Sequence, residues 1–333
     1  MPEPLAAPHW VGFDLGGTKM MAVAYDQAFR SLGRKRRRTK GNEGTKSGIE
    51  RIVQTIEDAL TDAQLTPQQI SGIGIGCPGT VDLDAGIILE AANLGWKNVR
   101  LKEQLEKSFG CPCVIANDVD AGVYGEYRFG AAKNARCAVG LFPGTGIGGG
   151  CVYEGRILRG KKHSCMELGH IEVVPYGNYC GCGKRGCLET EASRLAIAGQ
   201  VAIAAYRGEA PHVLSTSGTD VAEIRSSTLA DAIKAGDTAV EKIIRRACGL
   251  IGIAVADVVN MLAPEIVILG GGLVEAMPDL FVNAVGDAAR DRVMPSMAKS
   301  FKVVAAKLGD DAGAMGAAAW VERHVVPREV SMN

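Results

Sequence analysis

A chain of 333 residues, 47% of them hydrophobic, is long enough for two domains with substantial cores. Its 37 Lys and Arg residues balance its 37 Asp and Glu residues, so no net charge attracts nucleic acid or an anionic membrane surface. No apolar run approaches the roughly 20 residues of a membrane-spanning helix, which argues against a helical membrane protein.

The first distinctive segment is a glycine turn between two apolar runs, in WVGFDLGGTKMMAVAYD (residues 10–26). Apolar runs on both sides of a short glycine turn predict a β-hairpin with a glycine-rich tip. The backbone N–H groups of such a tip can bind phosphate oxygens, and Thr18 and Lys19 would add a hydroxyl and an ammonium group. The alternative is that the glycines only form a tight turn.

The most basic segment is RKRRR (34–38), which follows this hairpin. A cluster of this kind can bind nucleic acid, but the zero net charge of the chain argues against that function. We interpret the segment as the solvated end of a strand.

A carboxylate stands at the end of a later apolar strand. VIAN (114–117) ends at Asn117, and Asp118 precedes a segment with a helical pattern. A carboxylate at the carboxyl end of a strand can accept a proton in catalysis. It can equally cap the following helix, and the residues alone leave both interpretations open.

A second glycine-rich segment, CAVGLFPGTGIGGGCVYEGRI (137–157), repeats the pattern of the first. Gly144, Gly146 and Gly149 have the GxGxxG spacing of dinucleotide-binding proteins, but that motif requires a helix directly after the glycines. The residues that follow are β-prone, so we reject a dinucleotide site and predict a second hairpin. Two similar hairpins indicate a duplicated domain in which each copy binds phosphate, with a cleft between the copies.

The stretch HIEVVPYGNYCGCGKRGC (170–187) concentrates metal-binding side chains among glycines. A Cys₃His set suits tetrahedral Zn²⁺, and four protein ligands leave no open position for catalysis. A disulfide is disfavoured because no secretory signal precedes the cysteines, and a DNA-binding zinc finger because half of its pattern is missing. We therefore predict a structural zinc site, flanked by Glu167 and Glu189, whose ligands are His170, Cys180, Cys182 and Cys187.

The last part of the chain predicts a helix, a strand, a glycine turn and a second helix. GLIGIAVADVVNML (249–262) indicates a buried helix and PEIVIL (264–269) a buried strand, which three glycines (270–272) follow. A glycine turn at this place lets a flat group such as a purine approach the backbone. The tail LGDDAGAMGAAAWVERHV (308–325) predicts an Ala-rich helix with an Asp N-cap.

Short motifs are spread over nearly the whole chain, in the order DLGGTK (14–19), GIGCPGTVD (74–82), NDVDAGVYGE (117–126), GTGIGGG (144–150), ELGH (167–170), CGCGKRGCLE (180–189) and LGGG (269–272). In this order they resemble the ROK family, which comprises repressors, open-reading-frame proteins and sugar kinases. The combination of paired glycine loops with a zinc-and-glutamate block is specific to that family.

The resemblance implies an α/β fold of the actin-like ATPase (hexokinase) type, in which two RNase H-like domains flank a cleft that holds ATP and sugar. It also implies that the final helix packs back on the first domain. We therefore expect residues 1–117 and 318–333 to form a smaller N-terminal domain, and residues 118–317 a larger domain with the zinc-binding loop.

The resemblance also assigns roles to particular residues. It implies that Asp118 is the catalytic proton acceptor and that Asp14 acts at Mg²⁺ through water. The residues implied to bind ATP are Gly16, Gly17, Thr18, Lys19, Gly144, Thr145 and Gly146 at the phosphates, and Gly271 and Gly272 at the adenosine. The residues implied to bind the sugar are Gly79, Asn117, Asp118, Glu167, His170 and Glu189.

The function that follows is ATP- and Mg²⁺-dependent phosphorylation of a hexose at its 6-hydroxyl, with glucose as the favoured hexose. An N-acetylhexosamine kinase, acting on N-acetylmannosamine or N-acetylglucosamine, is the nearest alternative, and a fructokinase or allokinase is less favoured. A non-catalytic, sugar-sensing regulator is the alternative from another class. The intact Asp118 argues against it, as do the nine residues before Trp10, too few for the DNA-binding module of the family's repressors.

Further expectations concern the setting of the reaction. The resemblance and the composition imply a cytoplasmic homodimer whose partners are a hexose and ATP, with no nucleic acid and no membrane. A polyphosphate donor stays open as an alternative to ATP. The chain departs from the pattern of many family members at Asp120, Gly122, Phe142-Pro143 and Arg194, and these departures bear on the choice of sugar.

Overall fold

The computed structural model describes residues 7–161 and 163–326. The strands of these residues are β1 (His9–Leu15), β2 (Lys19–Tyr25), β3 (Ser31–Arg38), β4 (Ile70–Cys77), β5 (Thr80–Asp82), β6 (Ile87–Ala91), β7 (Trp96–Val99), β8 (Cys113–Asn117), β9 (Cys137–Pro143), β10 (Ile147–Tyr153), β11 (Arg156–Ile157), β12 (Ile266–Leu269) and β13 (Lys302–Ala305). The α-helices are α1 (Thr45–Asp62), α2 (Leu101–Phe109), α3 (Asp118–Phe129), α4 (Leu188–Ala192), α5 (Arg194–Tyr206), α6 (Pro211–Ser217), α7 (Ser226–Lys234), α8 (Thr238–Leu262), α9 (Gly272–Ala276), α10 (Pro278–Arg290) and α11 (Ala312–Val325).

The chain divides into two compact units. Unit 1 comprises the chain up to Asn134, Gly155–Cys165 and the chain from Asp310 onward, and unit 2 comprises Ala135–Glu154 and Met166–Gly309. The sequence-based boundaries lie near 117 and 318, whereas these units keep all of α3 and α11 in unit 1. The physical reason is that α3 and α11 pack on each other and on the sheet of unit 1.

The sheet of unit 1 has the strand order β3-β2-β1-β4-β8. Strands β1, β4 and β8 run parallel, with Asp14 opposite Gly76 and Cys77 opposite Asn117. The central strands are almost continuously buried, as expected for parallel strands that are covered on both faces. The carboxyl ends of these three strands therefore meet at one edge of the sheet, the edge at which open α/β sheets bind ligands.

Small residues let α11 approach the sheet of unit 1 closely. A side chain at Gly12 of β1 would overlap the carbonyl oxygen of Ala314, and one at Gly74 of β4 that of Ala317. On the other side of α11, a side chain at Gly316 would overlap the backbone of α3. The glycines and alanines of these segments are thus explained by packing of backbone against backbone.

The basic segment 34–38 forms the last five residues of β3, an edge strand of this sheet. Arg34 and Arg36 form ion pairs with Asp311 (2.9 Å) and Asp310 (3.1 Å), while Lys35 and Arg37, on the other face, form ion pairs with Asp58. The interpretation as a solvated strand is confirmed. Charges along an exposed edge also oppose pairing with strands of other molecules.

The predicted Asp N-cap of the final helix is confirmed in its position but not in its hydrogen bond. Asp311 holds the N-cap position of α11, but its side chain forms no capping hydrogen bond there. Its carboxylate accepts a hydrogen bond from Arg34 instead. A partner on a distant strand thus replaces the local contact that the sequence favours.

In unit 2, the strands follow the order β10-β9-β12-β13. Strands β9 and β10 form an antiparallel hairpin, and β12 runs parallel to β9 and to β13. The succession of α8, β12, a glycine turn and α9 confirms the predicted arrangement. Helix α8 has 25 residues, but no helix of the described residues is both long and apolar enough to cross a bilayer.

Candidate active site

The first glycine loop connects β1 to β2 as a hairpin, as predicted. The N–H of Gly16 donates to the carbonyl of Lys19 (2.9 Å) and closes the turn. Thr39, which lies outside the loop in the chain, also binds it: its hydroxyl donates to the carbonyl oxygen of Gly16 (2.6 Å). No hydrogen bond within the described residues uses the N–H of Gly17 or Thr18. Two adjacent exposed N–H groups of this kind are suited to bind phosphate oxygens.

Lys19, at the end of this loop, has a carboxylate partner that the sequence did not indicate. Its ammonium group donates to Asp310 Oδ1 at 2.8 Å, and Arg36 pairs with Oδ2 of the same residue at 3.1 Å. The two hydrogen bonds and the nearby positive charges lower the pKa of Asp310, with the bond from Lys19 as the largest cause. Lys19 and Asp310 are 291 residues apart in the chain, so no local pattern could have joined them.

Asp14 is the next-to-last residue of β1, beside this loop. Burial raises the pKa of its carboxyl to about 6, while the charge of Lys19 acts in the opposite direction. Lys19, Arg36 and Asp310 are the charged groups that act on it. A carboxyl group that is costly to ionise, placed at the carboxyl end of a parallel strand, is typical of functional sites.

We expect Asp14→Asn to stabilise the protein at pH 8 by about 2 kcal/mol. The folded state keeps the Asp14 proton up to about pH 6, whereas the unfolded chain loses it near pH 4. The free energy of unfolding therefore falls as pH rises through this window, and the variant lacks that part of the slope. Urea denaturation at pH 4 and pH 8 measures the difference, with exposed Asp84→Asn as the control. A variant that is no more stable than the native chain at pH 8 would contradict the expectation.

Asp118 is the first residue of α3 and directly follows β8. The capping of this helix is done by its neighbour: Asn117 Oδ1 accepts from the N–H groups of Val119 (2.9 Å) and Asp120 (3.3 Å). Asp118 Oδ1 also accepts from Val119 N–H at 3.0 Å. Since Asn117 supplies the cap, the capping interpretation does not account for a carboxylate at position 118.

Gly79 takes part in the site through Asn117. The amide nitrogen of Asn117 donates to the carbonyl oxygen of Gly79 at 3.1 Å. Gly79 has a φ of +84°, and a side chain there would overlap the carbonyl oxygen of Glu90, so only glycine fits. This contact fixes Asn117 and leaves one of its amide hydrogens for a ligand.

Unit 1 therefore gathers its predicted site residues at one edge of the sheet. Asp14 lies in β1 and Asp118 directly follows β8. These two strands are two positions apart in the sheet, so their axes are about 10 Å apart at the usual strand spacing. Cys77 is the last residue of β4, the strand between β1 and β8. Burial raises the pKa of its thiol well above the usual range, and the charges of Asp118 and Asp14 act in the same direction. The first glycine loop leaves the same edge between β1 and β2.

The second glycine loop connects β9 to β10 and repeats the pattern of the first. The N–H of Gly144 donates to the carbonyl of Gly146 (2.8 Å) and closes the turn. No hydrogen bond among the residues that the structure covers uses the N–H of Thr145 or Gly146. The segment after the metal ligands contacts this loop, since Glu189 Oε2 accepts from the N–H of Ile147 at 2.8 Å. A second phosphate-binding turn is the chemistry that these groups favour.

The third glycine cluster lies against this second loop. Gly271 has a φ of +84° and precedes α9, and a side chain there would press on the carbonyl of Pro143 at the end of β9. A residue other than glycine would be strained at this φ and would also crowd the loop. Unit 2 thus places Gly271 beside Pro143 and Gly144 of the second loop, while Gly272 lies against Ser226.

The four predicted metal ligands converge. Their ligand atoms all lie within 4.8 Å of one another; His170 Nδ1 is 3.5 Å from Cys180 Sγ, and the sulfurs of Cys182 and Cys187 are 3.7 Å apart. Tetrahedral Zn²⁺ requires about 3.5 Å between a nitrogen and a sulfur ligand and about 3.8 Å between two sulfurs. A disulfide would need about 2 Å between sulfurs, and these cysteines are unbonded. The donor set fits Zn²⁺.

The backbone around this cluster places Glu167 and Glu189 beside it. Glu167 begins the turn that ends at His170, whose N–H donates to the Glu167 carbonyl at 3.0 Å. Glu189 lies in the first turn of α4, two residues after Cys187. The N–H of Leu188 donates to the carbonyl of Ile171 (2.8 Å) and ties the two segments together. The site residues of unit 2 are therefore this cluster, its two flanking carboxylates, the second loop and the third glycine cluster.

Comparisons with known proteins extend over nearly the whole chain. A profile of the ROK family matches residues 10–324. The glucokinase of Thermotoga maritima is 35% identical over 316 residues, which are 95% of this chain and 98% of that protein. The xylose repressor of Caldicellulosiruptor bescii is 29% identical over 311 residues, 93% of this chain and 77% of the repressor.

A solved structure shows the same fold. The ROK family glucokinase from Streptomyces griseus, in complex with glucose and AMPPNP, matches with a TM-score of 0.81 at 30% identity, covering 94% of this chain and 98% of that one. The predicted α/β fold of the actin-like type is thereby confirmed.

Proposed function

We propose that this chain, which belongs to the ROK family, is a kinase that transfers the γ-phosphoryl group of ATP to the 6-hydroxyl of a hexose, with glucose as its preferred hexose. The observation that carries the proposal is the edge of unit 1, which holds Asp14, Asp118 and a loop with two N–H groups that no described residue binds. The glucokinases of Thermotoga maritima and Streptomyces griseus, at 35% and 30% identity, support the choice of substrate.

Phosphoryl transfer requires positioned phosphates, neutralised charge and a proton acceptor. The N–H groups of the two glycine loops, with Thr18, Lys19 and Thr145, would bind the phosphates of ATP, and Gly271 and Gly272 would lie along its adenosine. Asp118 would accept the proton of the 6-hydroxyl as that oxygen attacks phosphorus. Mg²⁺, when bound, supplies positive charge on the phosphates, and Asp14 would hold it through water.

The sugar requires partners that both donate and accept hydrogen bonds. Asn117 and Asp118 suit the 3-, 4- and 6-hydroxyls, and Glu167, His170 and Glu189 the 1- and 2-positions. With its Nδ1 facing Cys180, His170 has Nε2 left for a sugar hydroxyl. Structural Zn²⁺ at His170 and the three cysteines would fix the tautomer and the orientation of this ring.

A methyl group on Gly146 tests the link between the second loop and Glu189. The added carbon would overlap the Glu189 carboxylate, which now accepts from Ile147 N–H, so Glu189 must move. We expect Gly146→Ala to lower kcat/KM for glucose by about 10- to 100-fold with little change in Tm. Gly199→Ala, in α5 with open space around it, is the control and should keep full activity. A Gly146→Ala enzyme with an unchanged kcat/KM for glucose would contradict the placement of Glu189 in the sugar site.

A coupled assay of ADP release against a panel of hexoses tests the proposed function. Glucose should give the highest kcat/KM, and 2-acetamido sugars should be poor substrates. Preference for N-acetylmannosamine or N-acetylglucosamine would support the alternative kinase, and replacement of ATP by polyphosphate in the same assay tests the alternative donor. No turnover with any sugar, together with tight sugar binding, would favour a sugar-sensing regulator.

We also propose a cytoplasmic homodimer, because the reaction consumes ATP and the family resemblance implies a dimer. Helix α5 exposes Leu195, Ile203 and Tyr206, with 51%, 55% and 83% of their surfaces accessible, and a partner subunit could cover them. Sedimentation equilibrium measures the mass in solution, and a monomer at micromolar concentration would refute the dimer.

A further inference from the structure

We propose that Arg194 binds the terminal phosphates of the ATP donor together with Thr145, an inference that rests on the proposed function. Arg194 is the first residue of α5 and touches the second glycine loop twice. Its N–H donates to the carbonyl of Gly144 at 2.9 Å, and its guanidinium donates to the hydroxyl oxygen of Thr145 at 3.2 Å.

The direction of this second hydrogen bond decides what Thr145 can do. A guanidinium group only donates, so the hydroxyl oxygen of Thr145 is the acceptor. The hydroxyl hydrogen must then point away from Arg194, and Thr145 is exposed at the tip of the loop. A phosphate oxygen is the acceptor that the unused N–H groups of the same tip favour.

The guanidinium itself is available to a phosphate. It has five N–H donors, of which one faces Thr145, and no carboxylate within the described part of the chain forms an ion pair with it. An oxygen bonded to the Thr145 hydroxyl lies within about 6 Å of the same guanidinium nitrogen, close enough for Arg194 to bond the same phosphate.

The positive charge of Arg194 also offsets a negative charge beside the second glycine loop. The Glu189 carboxylate contacts the loop at Ile147 and would repel an incoming phosphate. Arg194 places a positive charge at the Thr145 side and offsets that repulsion. Arg194 therefore increases the affinity for the donor beyond what the loop backbone provides.

The test separates this role from a purely structural one. Arg194→Met keeps an unbranched side chain similar to the apolar stem of arginine and keeps the backbone bond to Gly144, but it removes every side-chain donor. We expect KM for ATP to rise about 10- to 100-fold, the usual effect of losing a charge-assisted hydrogen bond, while KM for glucose stays within about twofold. Arg194→Lys should recover part of the affinity, and Arg207→Met, an exposed arginine just beyond the other end of α5, should change nothing.

Calorimetry with AMPPNP and AMP completes the test. AMP lacks the terminal phosphates, so Arg194→Met should weaken AMPPNP and leave AMP unchanged. Equal weakening of both nucleotides, or an ATP KM within about twofold of the native value, would overturn the inference. If the native enzyme phosphorylates no hexose, the proposed function fails, yet the comparison of AMPPNP with AMP still decides the role of Arg194.

Discussion

Replacing Asp118 with asparagine is expected to lower kcat by about 10²- to 10⁴-fold, the usual contribution of a general base. Asparagine keeps the size of the side chain and its hydrogen bond to Val119 N–H, but an amide cannot take a proton from the sugar hydroxyl. The dissociation constants of glucose and AMPPNP should therefore change by less than about threefold. Single-turnover kinetics together with calorimetry measure the two effects separately.

Loss of a negative charge in the first turn of a helix can itself weaken the helix. Asp279→Asn, an exposed Asp in the first turn of α10, is the matched control and should leave kcat unchanged. A kcat for Asp118→Asn within about fivefold of the native value would refute the assignment of Asp118 as proton acceptor. A large and equal loss in the control would attribute the effect to the helix.

Removing zinc is expected to raise the glucose KM by about 10-fold or more and to lower Tm by about 5 °C or more. The proposed metal joins the turn that ends at His170 to the segment from Cys180 to Cys187, and the carboxylates of Glu167 and Glu189 flank those two segments. Without the ion, both carboxylates lose their fixed positions at the same time. Chelation followed by back-titration of Zn²⁺ should reverse both changes.

Two cysteine variants sharpen this experiment. Cys182→Ser removes an exposed member of the cluster, whereas Cys165→Ser alters a cysteine outside it. The first should bind less than one zinc per chain by elemental analysis and should show the raised KM, and the second should resemble the native enzyme. Normal glucose affinity in zinc-free protein would show that the cluster and the sugar site are independent. A native chain that binds no zinc would refute the metal assignment.

Local patterns predicted much of this molecule. Both glycine loops were expected to be hairpins, because apolar runs flank each one, and the structure has both. Asp118 was expected after a buried strand and before a helix, and it lies there. The four predicted zinc ligands converge, as their spacing and the glycines between them indicated. In each case the residues that decide the structure are close together in the chain.

Contacts between distant residues could not be predicted in this way. The ion pair of Lys19 with Asp310 and the hydrogen bond of Arg194 with Thr145 depend on how the elements pack. The cap of α11 shows the same limit, since local preference favoured a capping Asp311 and the distant Arg34 binds that carboxylate instead. The sequence contains all of these residues, but the residues next to each one in the chain do not indicate which distant residue it binds.

The packing of α11 on β1, β4 and α3 has a consequence for synthesis of the protein. Unit 1 cannot complete its core until α11 has left the ribosome, although most of the strands of unit 1 emerge before α11 does. About 180 residues separate α3 from α11, which at about 5–20 residues per second corresponds to a delay of about 10–40 s. During that interval the faces of β1 and β4 that carry Gly12 and Gly74 lack their cover, so the nascent chain exposes surface that the complete protein buries.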